Sequence, residues 1–149
     1  MKKYYFAYGS NMCLDQMRVR CPDSEFLKVV KLEGYKFVYD GYSRSRKSLV
    51  GNIVKNEGTT VYGALFEISE EDEESLDRYE GFPYAYNKTT VKVKDEEDNE
   101  YDALVYLRQN KKEGIPSIEY ENILVKAAYE LGLPYDYVEK YLKGRKNET

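Results

Sequence analysis

The sequence predicts an α+β domain whose strands pair mainly antiparallel. Three observations carry that expectation. Short runs of aromatic and β-branched residues fill most of the first 107 positions, separated by turns too brief for parallel crossovers. The clearest helical stripe, Ile123, Leu124, Ala127, Ala128 and Leu131, comes after the strands rather than between them. No composition break, repeat or linker divides the 149 residues, so residues 1–144 read as one domain and 145–149 as a frayed tail.

The elements follow in order. Lys3–Tyr8 is an apolar and aromatic run ended by Gly9-Ser10-Asn11, a buried strand running into a turn. Asn11 is placed to cap a short helix carrying Leu14, Met17 and Val19, which must stop before Pro22. Phe26–Val30 and Gly34–Tyr39 are expected strands, followed by a polar loop at Ser43–Ser48 containing Arg44, Arg46 and Lys47. Leu49–Val54 and Val61–Ile68 read as two more, parted by an Asn56-Glu57-Gly58 turn. Tyr86–Lys94 alternates, and the turn at Glu96–Asn99 joins it to Tyr101–Leu107 as a hairpin. Pro116-Ser117 opens the helix that Gly132 closes, and a last helix follows Pro134 through Val138 and Leu142.

Composition removes whole classes of chemistry. Histidine is absent, which excludes Ser-His-Asp and Cys-His catalysis and histidine-ligated metal. Cys13 and Cys21 are the only cysteines, too few for a disulfide scaffold or a Cys-only zinc site, and are expected as free thiols in a reducing cytoplasm. A net charge of −4 argues against nucleic acid as partner. The N-terminal apolar run is too short for a signal peptide, and no segment is long enough to span a membrane, so a cytoplasmic protein is expected. Acid–base work therefore falls to Asp, Glu, Tyr, Lys or Cys.

One glutamate stands out. Ser69 and Asp72 form a capping-box pattern, and the acidic residues 70–74 suit the positive end of a helix. Leu76 and Tyr79 mark its inward face, Glu80 lies one turn past Leu76, and Gly81 fits the left-handed closing position. Glu80 is thus an acid at the negative end of a helix, turned inward. Both conditions favour its neutral form and raise its pKa toward the range useful for proton transfer at neutral pH. The second candidate is Tyr8-Gly9-Ser10-Asn11. A turn of this composition can expose successive backbone N–H groups to an anion, with Gly9 tolerating close approach and positive φ.

With both pieces in view, the chain resembles the γ-glutamylcyclotransferase-like family. The matching stretches are Tyr5-Phe6-Ala7-Tyr8-Gly9-Ser10-Asn11-Met12, Val61-Tyr62-Gly63-Ala64-Leu65-Phe66-Glu67-Ile68, Leu76-Asp77-Arg78-Tyr79-Glu80-Gly81, and Pro116-Ser117 with Tyr120, Gly132-Leu133-Pro134 and Tyr137. The resemblance implies a small, mainly antiparallel β-barrel of about six or seven strands with flanking α-helices. It implies that Glu80 is the catalytic acid–base and that Tyr8, Gly9, Ser10 and Asn11 hold the substrate's glutamyl end. Tyr106 matches a pocket tyrosine, and Tyr86 matches another, with Tyr84 as its rival. The loop Tyr42–Ser48 does not align and is expected to shape the leaving-group side. The implied reaction turns a γ-glutamyl amide (a γ-glutamyl amino acid or γ-glutamylamine) into 5-oxoproline and a free amine. It needs no cofactor and no metal, and its partner is a small-molecule γ-glutamyl substrate. Monomer and homodimer are equally compatible with the sequence. The rival from another class is a pocket that binds such a ligand without turning it over.

Overall fold

The computed structural model describes residues 2–144; the expected tail at 145–149 lies outside the described residues. Five strands close into a barrel in the order β1-β3-β2-β4-β5. They are β1 (Lys3–Ala7), β2 (Glu25–Ser43), β3 (Ser48–Ile68), β4 (Asn87–Lys94) and β5 (Glu100–Leu107). All neighbours are antiparallel except β1 and β5, which run parallel with Tyr4 opposite Ala103 and Tyr5 opposite Leu104. The helices are α1 (Leu14–Arg20), α2 (Glu70–Glu80), α3 (Ile118–Leu131) and α4 (Tyr135–Tyr137), the last running on as a wide turn through Val138–Leu142.

The α+β class and the mainly antiparallel barrel agree with expectation; the strand count is lower. Five strands replace six or seven because two pairs of expected strands are continuous. Glu33 faces Thr60 but Tyr35 faces Lys55, so β3 carries an excursion at 56–59 without breaking the ladder. Thr59 Oγ1 accepts the Asn56 amide proton at 2.9 Å and lies 2.9 Å from the Tyr35 carbonyl, sealing that excursion. Gly34 and Gly58 take the left-handed conformations it needs, at φ 84° and 88°. The Asn56-Glu57-Gly58 turn is real, but it is a bulge inside one long hairpin.

The core packs Phe6, Phe66, Ile53, Leu65, Leu76 and Val105, all essentially without solvent contact. Local signals hold at the helices. Ser69 and Asp72 close a reciprocal capping box on α2, and Gly81 ends it at φ 68°. Ser117 accepts from the Tyr120 N–H to start α3, and Gly132 ends it at φ 90°. Among the described residues no helix is long and apolar enough to cross a membrane.

Topology builds one functional rim. Because β1 and β5 are parallel, their C-terminal ends emerge together, and the antiparallel β4 begins there, with Asn87 opposite Leu107. α2 starts after Ile68, which faces Lys3 at the opposite end of β1. Its eleven residues rise about 16 Å, the height of a five-residue strand, so Glu80 returns to that same rim. The hairpin of β2 and β3 extends past β1 and brings Gly51 and the 44–47 tip beside it.

Candidate active site

Two adjoining recesses open at the rim. The inner one, about 40 Å³, is bounded by the Tyr8–Asn11 turn, Gly51, Tyr86, Tyr106 and Tyr120. The outer one, about 240 Å³, lies among Tyr42, Arg46, Tyr79, Arg108 and Lys111. Glu80 belongs to both linings, as do Ser10, Tyr86 and Tyr120. It is the only carboxylate in either lining among the described residues.

The last turn of α2 aims Glu80. Leu76 is buried one turn before it. Asp77 accepts from the Tyr106 hydroxyl at 2.6 Å and pairs with Lys88 Nζ at 2.8 Å, which ties the helix to β5 and β4. Among the described residues no side chain donates a hydrogen bond to Glu80, while the residue keeps partial exposure through the outer recess. Burial of the carboxyl pushes its pKa up to about 7, against the pull of the Arg20, Arg108 and Arg46 guanidiniums. Tyr79 was expected inward with Leu76; instead it is 41% exposed at the mouth. There the Arg20 guanidinium lies 3.4 Å from its ring centre, and Arg46 donates to its hydroxyl at 2.7 Å. Two arginines hold the ring at the surface.

The turn after β1 differs in detail from expectation. Ser10–Met12 forms a single 3₁₀ turn, and α1 begins at Leu14 with Cys13, not Asn11, in the capping position. The Asn11 side chain is occupied elsewhere: it donates to the Tyr5 hydroxyl at 3.0 Å and accepts from Arg20. The Ser10 and Asn11 N–H groups have no partner among the described residues, as the first donors of a helical turn must. Gly9 sits at φ −123°, so the expected use of positive φ is not made. A Cβ there would meet the Tyr120 hydroxyl at 3.8 Å, in ordinary contact. Glycine at this position keeps the recess open.

Of the tyrosines, Tyr84 is 95% exposed, whereas Tyr86 lines both recesses and donates to the Gly51 carbonyl at 2.7 Å. Tyr120 grips the other side of the same residue, accepting from the Gly51 N–H at 3.1 Å. Tyr8 donates to the Tyr106 carbonyl at 2.6 Å, while the Tyr106 hydroxyl is committed to Asp77. Burial pushes the Tyr120 hydroxyl up to about 12 and raises Tyr8 well above its ordinary value, so both stay protonated donors.

Sequence reasoning missed Arg20, Gly51 and Arg108, and met Tyr5 and Tyr120 only as parts of motifs. Two of these had a legible signal. Arg108 follows Tyr106 by two, the strand period, and Arg20 follows the buried Met17 by three, the helical neighbour. Gly51 had none, because only the fold brings it to the rim.

The sequence profile of the AIG2-like family matches residues 60–141, more than half of the chain. A γ-glutamylcyclotransferase from Homo sapiens is 32% identical over 142 residues, covering 91% of this chain and 75% of the human protein. The chain belongs to the γ-glutamylcyclotransferase-like family. The Mus musculus γ-glutamylcyclotransferase is 29% identical over 149 residues, 97% of this chain and 79% of that one. A solved γ-glutamyl cyclotransferase superposes with a TM-score of 0.91 at 28% identity, over all of this chain and 91% of the other. An AIG2-like protein from Mus musculus shares the fold alone, at a TM-score of 0.58 and 17% identity over 99% and 98% of the two chains. Family membership makes this an enzyme of the cyclotransferase type.

Proposed function

We propose that this enzyme converts a γ-glutamyl amide into 5-oxoproline and a free amine, with Glu80 as its single acid–base. The observation that carries this reading is the position of Glu80 as the one carboxylate shared by both recess linings among the described residues. The glutamyl end sits in the inner recess, the leaving amine in the outer one, and the scissile bond passes Glu80 between them.

The steps balance with that group alone. The Glu80 carboxylate takes a proton from the substrate's α-ammonium, and the freed nitrogen attacks the γ-carbonyl carbon. The carbonyl oxygen gains negative charge, for which the Ser10 and Asn11 N–H groups are the available donors. Neutral Glu80 then gives its proton to the leaving nitrogen as the amide C–N bond breaks, and the regenerated carboxylate takes the second proton from the cationic ring nitrogen and passes it to the freed amine, which departs as an ammonium. A group with pKa about 7 is matched to both duties at neutral pH. The tyrosine-walled recess folds the glutamyl chain so that its two ends meet, which supplies effective concentration in place of an enzyme nucleophile. The same reading places the two unpaired thiols in a reducing compartment, the cytoplasm.

The test is a panel of γ-glutamyl amides scored for 5-oxoproline release by purified protein. Release from at least one γ-glutamyl amino acid supports the reading. Binding of those compounds with no 5-oxoproline formed would establish the non-catalytic alternative.

A further inference from the structure

The outer recess is built for negative charge. Arg46, Arg108 and Lys111 line it, and among the described residues Glu80 is the only acid in the lining. Asp40, fully buried behind Arg108, is used up: its carboxylate takes Arg108 Nη1, the Asn52 amide at 3.3 Å and the Lys111 N–H at 2.8 Å. Arg108 Nη2 also donates to the Asp40 carbonyl at 2.6 Å, and its guanidinium carbon lies 4.8 Å from the Tyr86 ring centre. Arg46 is held from a different element, the hairpin tip. Its Nη2 donates to Gln16 at 3.1 Å and to Tyr79 at 2.7 Å, and its guanidinium carbon lies 5.4 Å from the Tyr120 ring centre.

Each guanidinium has five donors; Arg46 is anchored through Nη2 alone, and Arg108 through one bond from each of Nη1 and Nη2. The remaining N–H groups of both, and the Lys111 ammonium, have no acceptor among the described residues. Gly41, at φ 68°, makes room for this cluster. A Cβ at that position would fall 2.9 Å from Arg108 Nη2 and 3.1 Å from Lys111 Cδ. Two fixed guanidiniums on separate elements offer two carboxylate sites, with the lysine as a further mobile charge. An α-carboxylate satisfies only one of them.

We infer that the outer recess selects a leaving amine bearing two carboxylates, an acidic α-amino acid, and that Arg46 and Lys111 determine that selectivity. This inference rests on the proposed cyclotransferase reaction, whose leaving group the recess receives. γ-Glutamyl-glutamate and γ-glutamyl-aspartate are then preferred over γ-glutamyl-alanine, and amides whose leaving group adds a positive charge, such as γ-glutamyl-lysine, are disfavoured.

The experiment compares kcat/KM for γ-glutamyl-glutamate, γ-glutamyl-alanine and γ-glutamyl-lysine in wild type, Arg46→Gln, Lys111→Gln and the double variant. Both positions keep contact with solvent, so the substitutions bury no unpaired group. The expected result is a preference for glutamate over alanine of at least about tenfold at low salt, the scale of one charge-assisted contact in a half-open site. The preference shrinks several-fold in 0.5 M salt (roughly a 4 Å screening length) and falls toward unity in the double variant, through KM more than kcat. Equal use of glutamyl and alanyl substrates by wild type overturns the selectivity and leaves the reaction standing. A preference that survives the double variant overturns the role of these two residues. No 5-oxoproline from any of the three removes the reaction itself, and the inference with it.

Discussion

Tyr86 and Tyr120 clamp one residue from both sides: Tyr86 donates to the carbonyl of Gly51, and the Gly51 N–H donates to Tyr120. The two rings that wall the inner recess are therefore fixed by the long hairpin rather than by each other. Gly51 is suited to the clamp, since a Cβ there would sit 2.9 Å from Phe37 Cε1. Tyr120→Phe strips the acceptor from that buried N–H, and a buried donor without a partner costs about 1–3 kcal/mol. We expect denaturant unfolding to show a loss in that range together with weaker substrate binding. Unchanged stability would mean that the clamp contributes nothing.

Glu80→Gln is expected to fold and to lose at least about 10²-fold in kcat, the low end for acid–base catalysis. Near wild-type release of 5-oxoproline by this variant would remove Glu80 from its role.

Stability provides an independent check on the same residue. The folded protein raises the pKa of Glu80 from its ordinary 4.5 to about 7. Between those values the folded state holds the proton more firmly than the unfolded chain, so this group makes stability fall as pH rises through the window. Relative to wild type, Glu80→Gln should gain stability between pH 4.5 and 7, by at most about 3 kcal/mol above pH 7. In wild type, kcat/KM should rise with pH with a midpoint near 7, as the base form accumulates. Chemical unfolding at pH 5 and pH 8 measures the first effect, and a pH–rate profile the second.

Gly9→Ala separates space from backbone. With φ at −123° the position lies outside the left-handed region, and an added methyl points toward the Tyr120 hydroxyl at 3.8 Å. We expect melting within a few degrees of wild type and at least about tenfold lower kcat/KM, through lost room for the glutamyl end. A large drop in melting temperature with normal turnover would make the turn purely structural.

The two thiols should differ in reactivity. Cys21 is fully buried, and burial followed by the nearby Asp72 pushes its pKa up to about 12. Cys13 keeps partial exposure. Under native conditions iodoacetamide should label Cys13 well before Cys21, as read by peptide mass spectrometry. Equal labelling would contradict the burial of Cys21.

The sequence made the local features of this site legible and left the distant ones hidden. Glu80 could be found because its signal lies within one helix: a capping box, an inward Leu76 and a closing glycine. The barrel's closure left no comparable trace. The parallel pairing of β1 with β5 joins residues about 100 positions apart, and no periodicity encodes that distance. The same reason hid Gly51 and left Arg46 undistinguished from Arg44 and Lys47 in a polar loop expected to shape the leaving-group side. Asn11 misled in the opposite way, because a good capping residue was drawn into a side-chain contact with Tyr5 and Arg20 that only the folded chain offers. The split strands were a further misreading. Gly34 and Gly58 suggested breaks, whereas glycine equally permits a bulge in an unbroken ladder.

The hairpin tip at 44–47 lies past the last rung, Ser43 opposite Ser48, and contributes Arg46 to the outer recess. The clamp on Gly51 sits on the near side of that rung, inside the ladder. Length at the tip can therefore vary without breaking the ladder that carries the Gly51 clamp. Under the proposed reaction this short stretch sets which amine is released without carrying the chemistry, so an engineer wishing to retarget the enzyme would start there.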